Sequence, residues 1–230
     1  MVPIHPKREF LSMLELHYGP GACSFVPHVA LEAIKAATGE DFVPRPLKLH
    51  KGEQRTPEYL AINPNAQVPT LVVDGKPLSQ IVAICDYLDR RFPQVGLLPA
   101  ESWARAQAMS QFLWMNNTVH TTFTHVFMPD RFCDGEATMA ELKRFNAALY
   151  RTQLERIQGW IASANPYWFG ERLAFHDAYA LTLLRWGGFA GIDPDSLPTY
   201  RAYVDRVAAH PAVAAAIARE GIKLSTFRKA

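Results

Sequence analysis

The sequence predicts a small α/β sheet domain joined to an all-helical domain, and three observations carry that prediction. Before residue 92, short apolar or alternating runs are interleaved with stretches of helical periodicity. A connector with two prolines and a glycine, Arg91-Phe-Pro-Gln-Val-Gly-Leu-Leu-Pro99, then interrupts the pattern. After it, apolar residues recur at the three- and four-residue intervals of a helix face. The chain therefore divides into an N-terminal extension over 1–12, a sheet domain over 13–92, a linker over 93–101 and a helical domain over 102–230.

Leu14-Glu-Leu-His-Tyr18 alternates as a half-buried strand, and Gly19-Pro-Gly-Ala22 is a turn. A helix runs from Ser24 to about Ala37. Residues 42–49 read as a second strand, set at a sheet edge because Pro44 and Pro46 cannot donate to a ladder. Asn63-Pro-Asn-Ala-Gln-Val-Pro69 is a loop into a strand over 70–73. The Asp74-Gly75 pair then marks a hairpin, with a short strand at Pro77-Leu78. Residues 80–91 form a helix with Ile81, Ile84, Tyr87 and Leu88 on one side. Past the connector, one long helix over 103–127, capped by Ser102, carries Phe112, Met115, Val119, Phe123 and Val126 as its core stripe. A second long helix covers about 138–162, with Leu142, Phe145, Leu149, Ile157 and Trp160 facing inward. Shorter helices fall near 177–188, 198–209 and 211–218. Asp177 reads as a helix-start residue whose carboxylate meets free N–H groups.

Lys and Arg number 24 against 22 Asp and Glu, a net +2 that lacks the basic excess of a nucleic-acid or anionic-membrane binder. No apolar run approaches the roughly 18 residues of a membrane span. The first ten residues lack the apolar core of a signal peptide. A soluble, cytoplasmic chain is expected. The three cysteines, Cys23, Cys85 and Cys133, form no Cys-x-x-Cys pair, so neither a disulfide framework nor a thiolate zinc site is implied. The histidines show no His-Glu-x-x-His spacing, and no metal site is expected.

Cys23 is the most informative position. It follows a tight turn and stands where a helix begins, and free N–H groups with the positive end of the helix dipole stabilise a thiolate there. A nucleophilic or redox thiol with a lowered pKa is one reading; a packed core cysteine is the other. Ser24 beside it is either a helix cap or a hydrogen-bond donor to a bound thiolate. Val68-Pro69 is a candidate cis peptide that would present the Val68 backbone to a ligand, although an ordinary trans proline is the commoner arrangement at a strand start. His120 lies about 100° off the core stripe of its helix. Its face, with Ser110, Leu113, Asn117 and Thr124, suits an interdomain cleft, whereas a lone histidine is more often structural. Lys48, Lys51 and Arg55 are either a solvated loop or a cluster facing an anion.

Taken together, Tyr18-Gly-Pro-Gly-Ala-Cys-Ser24 with Pro27-His28, Leu60-Ala-Ile-Asn-Pro64, Gln67-Val-Pro69, Gly96-Leu-Leu-Pro99, Gly170-Glu and Asp177-Ala-Tyr179 are collinear over both domains. From about 13 to 222 the chain resembles a bacterial glutathione S-transferase, most of all the beta class. The resemblance implies a thioredoxin-like N-terminal domain, an all-helical C-terminal domain, a homodimer, and a cleft that takes glutathione as cosubstrate beside a small hydrophobic electrophile. Under it, Cys23 contacts or disulfide-links the glutathione sulfur, with Ser24, Tyr18 and His120 around that sulfur. Val68, before cis-Pro69, pairs its backbone with the cysteinyl part, while Lys51 and Gln67 contact the peptide.

The chain also departs from the family pattern. Gln80-Ile81 replaces the Glu-Ser that usually holds the γ-glutamyl end, a loss on the order of 1–3 kcal/mol for each polar interaction. Thr121 and Leu113 replace a lysine and an asparagine. Ala174 replaces the Ser or Thr of a helix capping box, at about 1 kcal/mol of local stability. Phe25, Trp114, Phe123, Phe127 and Trp168 are candidates for the apolar wall of the cleft. The function implied is addition of the glutathione thiolate to the electrophile. The alternatives are a glutathione-dependent thiol–disulfide reductase or peroxidase using Cys23, and a non-catalytic binder with weakened glutathione affinity.

Overall fold

Alternation in Leu14–Tyr18 sends Leu14, Leu16 and Tyr18 to the buried side of strand β1, which lies inside the sheet. The computed structural model describes residues 13–228, so the extension over 1–12 lies outside the described residues. β1 pairs in parallel with β2 (Phe42–Pro46) and antiparallel with β3 (Thr70–Val73), which carries antiparallel β4 (Lys76–Ser79) on its far side. The order β2-β1-β3-β4 leaves both proline-bearing strands at edges, where a missing N–H disturbs no ladder. β2 ends at Pro46, three residues short of the expected end. The Glu53 carboxylate accepts the Lys48 N–H at 2.7 Å and turns the chain into the short 3-10 helix Leu49–Lys51.

Helix α1 (Phe25–Thr38) follows the Gly19–Ala22 turn and ends at Gly39, whose φ of +78° closes the helix in the left-handed conformation that glycine adopts without strain. The one-turn helix α2 (Pro57–Leu60) precedes the Asn63–Pro69 loop. Helix α3 (Ile81–Arg91) buries Ile81, Ile84 and Leu88, while Tyr87 is half-buried. This four-stranded mixed sheet with its helices is the thioredoxin-like domain the sequence implies.

The expected long helix of the second domain is a continuous rod made of α4 (Ser102–Trp114), a π-helical turn (Met115–Val119) and α5 (His120–Phe127). Phe112, Met115, Val119, Phe123 and Val126 are all buried. The cap is Glu101, not Ser102: its carboxylate accepts the N–H groups of Trp103 and Ala104 at 2.9 and 2.7 Å, and an ionised acceptor suits a helix N-terminus.

Of the stripe its apolar residues suggest, the next helix, α6 (Glu136–Ile161), buries Ile157 and half-buries Leu142 and Trp160. Phe145 is 62% and Leu149 39% exposed, and the buried line is Asn146, Tyr150, Gln153, Leu154, Ile157 and Ile161. Polar residues are tolerated there because each finds a partner. Tyr150 donates to the Leu183 carbonyl at 2.7 Å, Gln153 to Thr122 Oγ1 at 3.0 Å, and Asn146 to the Leu142 carbonyl at 2.8 Å. Ranking by apolarity alone therefore misplaces Phe145 and Leu149.

Helix α7 (Phe175–Gly187) is buried at every residue except Arg185 and occupies the centre of the helical domain. Helices α8 (Pro198–Ala208) and α9 (Pro211–Glu220) follow, and α1 of the sheet domain packs against both α7 and α9. No helix among the described residues is long and apolar enough to cross a membrane.

Asp177 holds the start of α7. Its carboxylate accepts the Ala174 N–H at 2.6 Å, the Trp168 N–H at 2.9 Å and the Tyr203 hydroxyl. Burial nevertheless pushes its pKa up to about 6, against these hydrogen bonds, which act to lower it. Ionising Asp177 is thus harder in the folded chain than in the unfolded one. Its contribution to stability is full below the ordinary carboxylate pKa and is lost as pH rises through about 6. In urea titrations, the stability gap between wild type and Asp177→Asn shifts against wild type by about 3 kcal/mol from about pH 4 to about pH 7. A gap that stays constant over that range overturns the assignment.

A candidate thiol site at the domain interface

The site starts from the peptide of Gly21. Its N–H donates to Glu220 Oε2 at 2.7 Å, and its carbonyl accepts from Trp186 Nε1 at 2.9 Å and Arg185 Nη1 at 3.2 Å. All three partners belong to the helical domain. A side chain is doubly excluded at residue 21: φ is +72°, and a Cβ would lie 2.8 Å from Arg185 Nη1. The other oxygen of Glu220 meets His28 Nδ1 at 2.7 Å, and the His28 ring lies 4.7 Å from the Tyr18 ring. Tyr18 is thus placed against His28, and burial raises its pKa, followed in effect by the charge of Glu220.

Ser24 makes no helix cap. Its hydroxyl accepts the Gly19 N–H at 3.1 Å and approaches the Gly19 carbonyl at 3.2 Å, closing the turn from inside. Cys23, 8% exposed, donates to the Val68 carbonyl at 3.5 Å. The Val68-Pro69 peptide is cis, as is Asn165-Pro166, which no sequence signal marked. Of the two readings of Cys23, packing is the one its surroundings favour: burial pushes the thiol up to about 12. The N–H groups of Cys23 and Ser24 do pull it down, but removal of water outweighs them.

The remaining sheet-domain candidates stand on loops and a helix start. Gln67 turns its carbonyl inward to the Tyr59 hydroxyl at 2.5 Å and Asn63 Nδ2 at 2.9 Å, leaving its side chain exposed. Lys51, at the end of its 3-10 helix, is exposed as well. Gln80 precedes α3 with φ +73°, a left-handed conformation that costs a non-glycine residue on the order of 1–3 kcal/mol and is held only where its surroundings impose it. Ile81 is 5% exposed, so its side chain serves the core and only its backbone remains for a ligand.

From the helical domain, His120 opens α5. Its Nδ1 is 2.9 Å from the Tyr179 hydroxyl, which donates to Asn116 Oδ1 at 3.2 Å. Its ring lies 4.8 Å from Trp186, the residue bonded to Gly21, and burial lowers its pKa to about 4. From Trp186 a run of aromatic rings leads outward. Phe123 stacks on Trp186 at 4.7 Å and 15°, Phe127 stacks on Phe123 at 5.4 Å and 17°, and Phe189 lies 5.2 Å from Phe127. Phe127 and Phe189 are about half exposed.

Of the wall candidates, then, only Phe123 and Phe127 join this run. Phe25 is core, while Trp114 and Trp168 pack around Trp160 and Arg156 on another face. Asn116, Tyr179, Trp186, Phe189 and Glu220 were not foreseen as site residues. Tyr179 lay inside the Asp177-Ala-Tyr179 motif, and the others carried no local signal. Among the described residues no cluster of His, Cys, Asp or Glu stands ready to hold a metal ion.

A thioredoxin-like domain held by an all-helical second domain is the architecture this chain shares with solved glutathione transferases. The family model for the glutathione S-transferase N-terminal domain matches residues 14–90. Glutathione S-transferase GstA of Escherichia coli O157:H7 is 32% identical over 91% of this chain and 100% of its own length. Among solved structures, a glutathione transferase homolog from Sulfitobacter with bound glutathione superposes with a TM-score of 0.82 at 25% identity, covering 92% of this chain and 99% of that one. A sphingomonad glutathione S-transferase complexed with glutathione is 30% identical with a TM-score of 0.75, over 91% of this chain and 100% of its own. This chain belongs to the bacterial glutathione S-transferase family.

Cys23 and Cys85 are buried, whereas Cys133 is half-buried. Iodoacetamide near neutral pH is expected to alkylate Cys133 first and to leave Cys23 unmodified until the chain unfolds, as read by peptide mass spectrometry. Early labelling of Cys23 would show an accessible thiolate and overturn the burial-raised pKa.

Proposed function

We propose that the protein conjugates glutathione to a small, flat, hydrophobic electrophile, as a cytoplasmic homodimer. The observation that carries this reading is the aromatic run Trp186–Phe123–Phe127–Phe189, which begins beside the Gly21–Cys23 turn and ends at half-exposed rings. Stacked rings offer an aromatic guest a face to join. In this reading the thiol of glutathione sits at the turn, where the N–H groups of Cys23 and Ser24 and the positive end of α1 favour its thiolate. The Val68 backbone receives the cysteinyl part, while Lys51, Gln67, Gln80 and the Ile81 N–H line the way to the peptide's ends. Tyr18 and Ser24 shape the turn, and His120 stands across from it. The buried, high-pKa thiol of Cys23 favours conjugation by glutathione over redox chemistry by Cys23 itself.

Calorimetric titration with reduced glutathione tests the reading. Saturation at or below about 1 mM, near −4 kcal/mol, is expected, weakened by the uncharged Gln80-Ile81 end. Conjugation of an aryl halide is expected to survive Cys23→Ala within about threefold, whereas Phe127→Ala raises the KM for the halide about tenfold, equivalent to about 1.4 kcal/mol of binding. No heat and no thermal shift with glutathione at about 10 mM would overturn the transferase reading.

For the homodimer, an open groove of about 630 Å³ between α3 and α4, lined by Val82, Ala83, Ala106 and Met109 with Asp86 and Arg105 at its side, is the surface proposed to meet a second copy. Light scattering should give twice the 25.8 kDa chain mass, and Ala106→Arg should return the protein to a monomer. A monomeric wild type would refute this assembly.

A further inference from the structure

We infer that Tyr179, held by Asn116, fixes His120 as the Nδ1–H tautomer and so leaves the lone pair of Nε2 to accept the proton of the glutathione thiol. The inference rests on the proposed function and adds to it two positioning residues that touch no substrate. A phenol has one proton to give. Tyr179 gives it to Asn116 Oδ1, an oxygen that can only accept, at 3.2 Å. The Tyr179 oxygen, 2.9 Å from His120 Nδ1, must then accept the second bond, so the imidazole proton sits on Nδ1. Tyr179 is fully buried and its pKa is raised by that burial, so it keeps its proton throughout the physiological range.

The remaining ring nitrogen, Nε2, takes no hydrogen bond among the described residues, yet it is not one of the sealed, unpartnered polar atoms of the interior. It is therefore open to a ligand. Burial is the sole cause that lowers the His120 pKa to about 4, with no charged side chain contributing, so the ring is neutral and Nε2 carries a lone pair. Its ring neighbour Trp186 is bonded to the peptide just before Cys23, which places His120 beside the turn proposed to hold the thiol.

The backbone is built to the same end. Asn116 and His120 are four residues apart and so share one face of the rod, where both side chains meet one hydroxyl from α7. The Thr124 hydroxyl caps the His120 carbonyl at 2.9 Å, one turn further on. In the step itself, the S–H proton moves to Nε2 while the electron pair stays on sulfur. The sulfur–carbon bond then forms, the leaving group departs with its own pair, and the imidazolium releases its proton to that leaving group or to water.

Nitrogen-15 NMR of the imidazole in the ligand-free protein reads the tautomer without any catalytic assay. The expected result is His120 protonated on Nδ1 in wild type and a mixture of tautomers in Tyr179→Phe and in Asn116→Leu. Two variants are used because either may lower stability, which thermal melts would report. In the assay, Tyr179→Phe should lower kcat about tenfold with the KM for glutathione changed less than twofold. His120→Ala should mask the effect of Tyr179→Phe, the double variant being no worse than His120→Ala alone. An Nε2–H tautomer in wild type, or independent and additive losses in the double variant, would overturn the inference even where glutathione binds and turns over. Absence of glutathione binding by wild type would instead remove the function on which it rests, whatever the tautomer.

Discussion

The clamp on the Gly21 peptide is the constraint from which the site follows. Its N–H and C=O are each taken by the helical domain, through Glu220 at the end of α9 and Trp186 and Arg185 near the end of α7. The backbone two residues before Cys23 is therefore positioned by groups 164 to 199 residues away in sequence. Glu220 is fixed in turn by His28, a residue of the very helix that the turn begins. Removing one member of such a buried pair would strand the other, a penalty of about 3–5 kcal/mol. The two domains consequently share their most costly polar groups at the place where the chemistry is proposed.

Around that clamp, burial drives three titratable groups toward their neutral forms. Cys23 is pushed up, Tyr179 is pushed up, and His120 is pushed down. Without a ligand, these three groups carry no charge at neutral pH. The N–H groups at the start of α1 are then available to a thiolate, and the lone pair of His120 to a thiol proton. This division of labour suits a thiolate supplied by a cosubstrate better than one generated on the protein's own cysteine.

Much of this was legible in the sequence wherever local chemistry dictates geometry. Pro44 and Pro46 announced one edge strand, Asp74-Gly75 the hairpin, and the stripe from Phe112 to Val126 the buried face of the rod. Asp177 was legible as a helix-start carboxylate for the same reason. The reading failed where partners come from afar. On α6, Gln153 and Tyr150 are buried because Thr122 and the Leu183 carbonyl receive them, and no local pattern encodes those partners. Cys23 stayed open between two readings for the same reason: the helix start that lowers its pKa is local, while the packing that raises it is tertiary. Glu220, Trp186 and Asn116 belong to the same category, each defined by a contact across the fold.

The replacement Gln80-Ile81 separates affinity from chemistry in this chain. Gln80 holds a left-handed φ of +73° at the head of α3 despite having a Cβ. Ile81 buries its side chain in the core, which stabilises the same helix start by packing rather than by a ligand-facing hydroxyl. Under the proposed function, what the replacement weakens is the hold on the charged end of the tripeptide, whereas the turn, the Val68 backbone, His120 and the aromatic run would lie at the sulfur end. A change confined to the far end lowers the occupancy of ground state and transition state alike, which raises KM and leaves kcat in place.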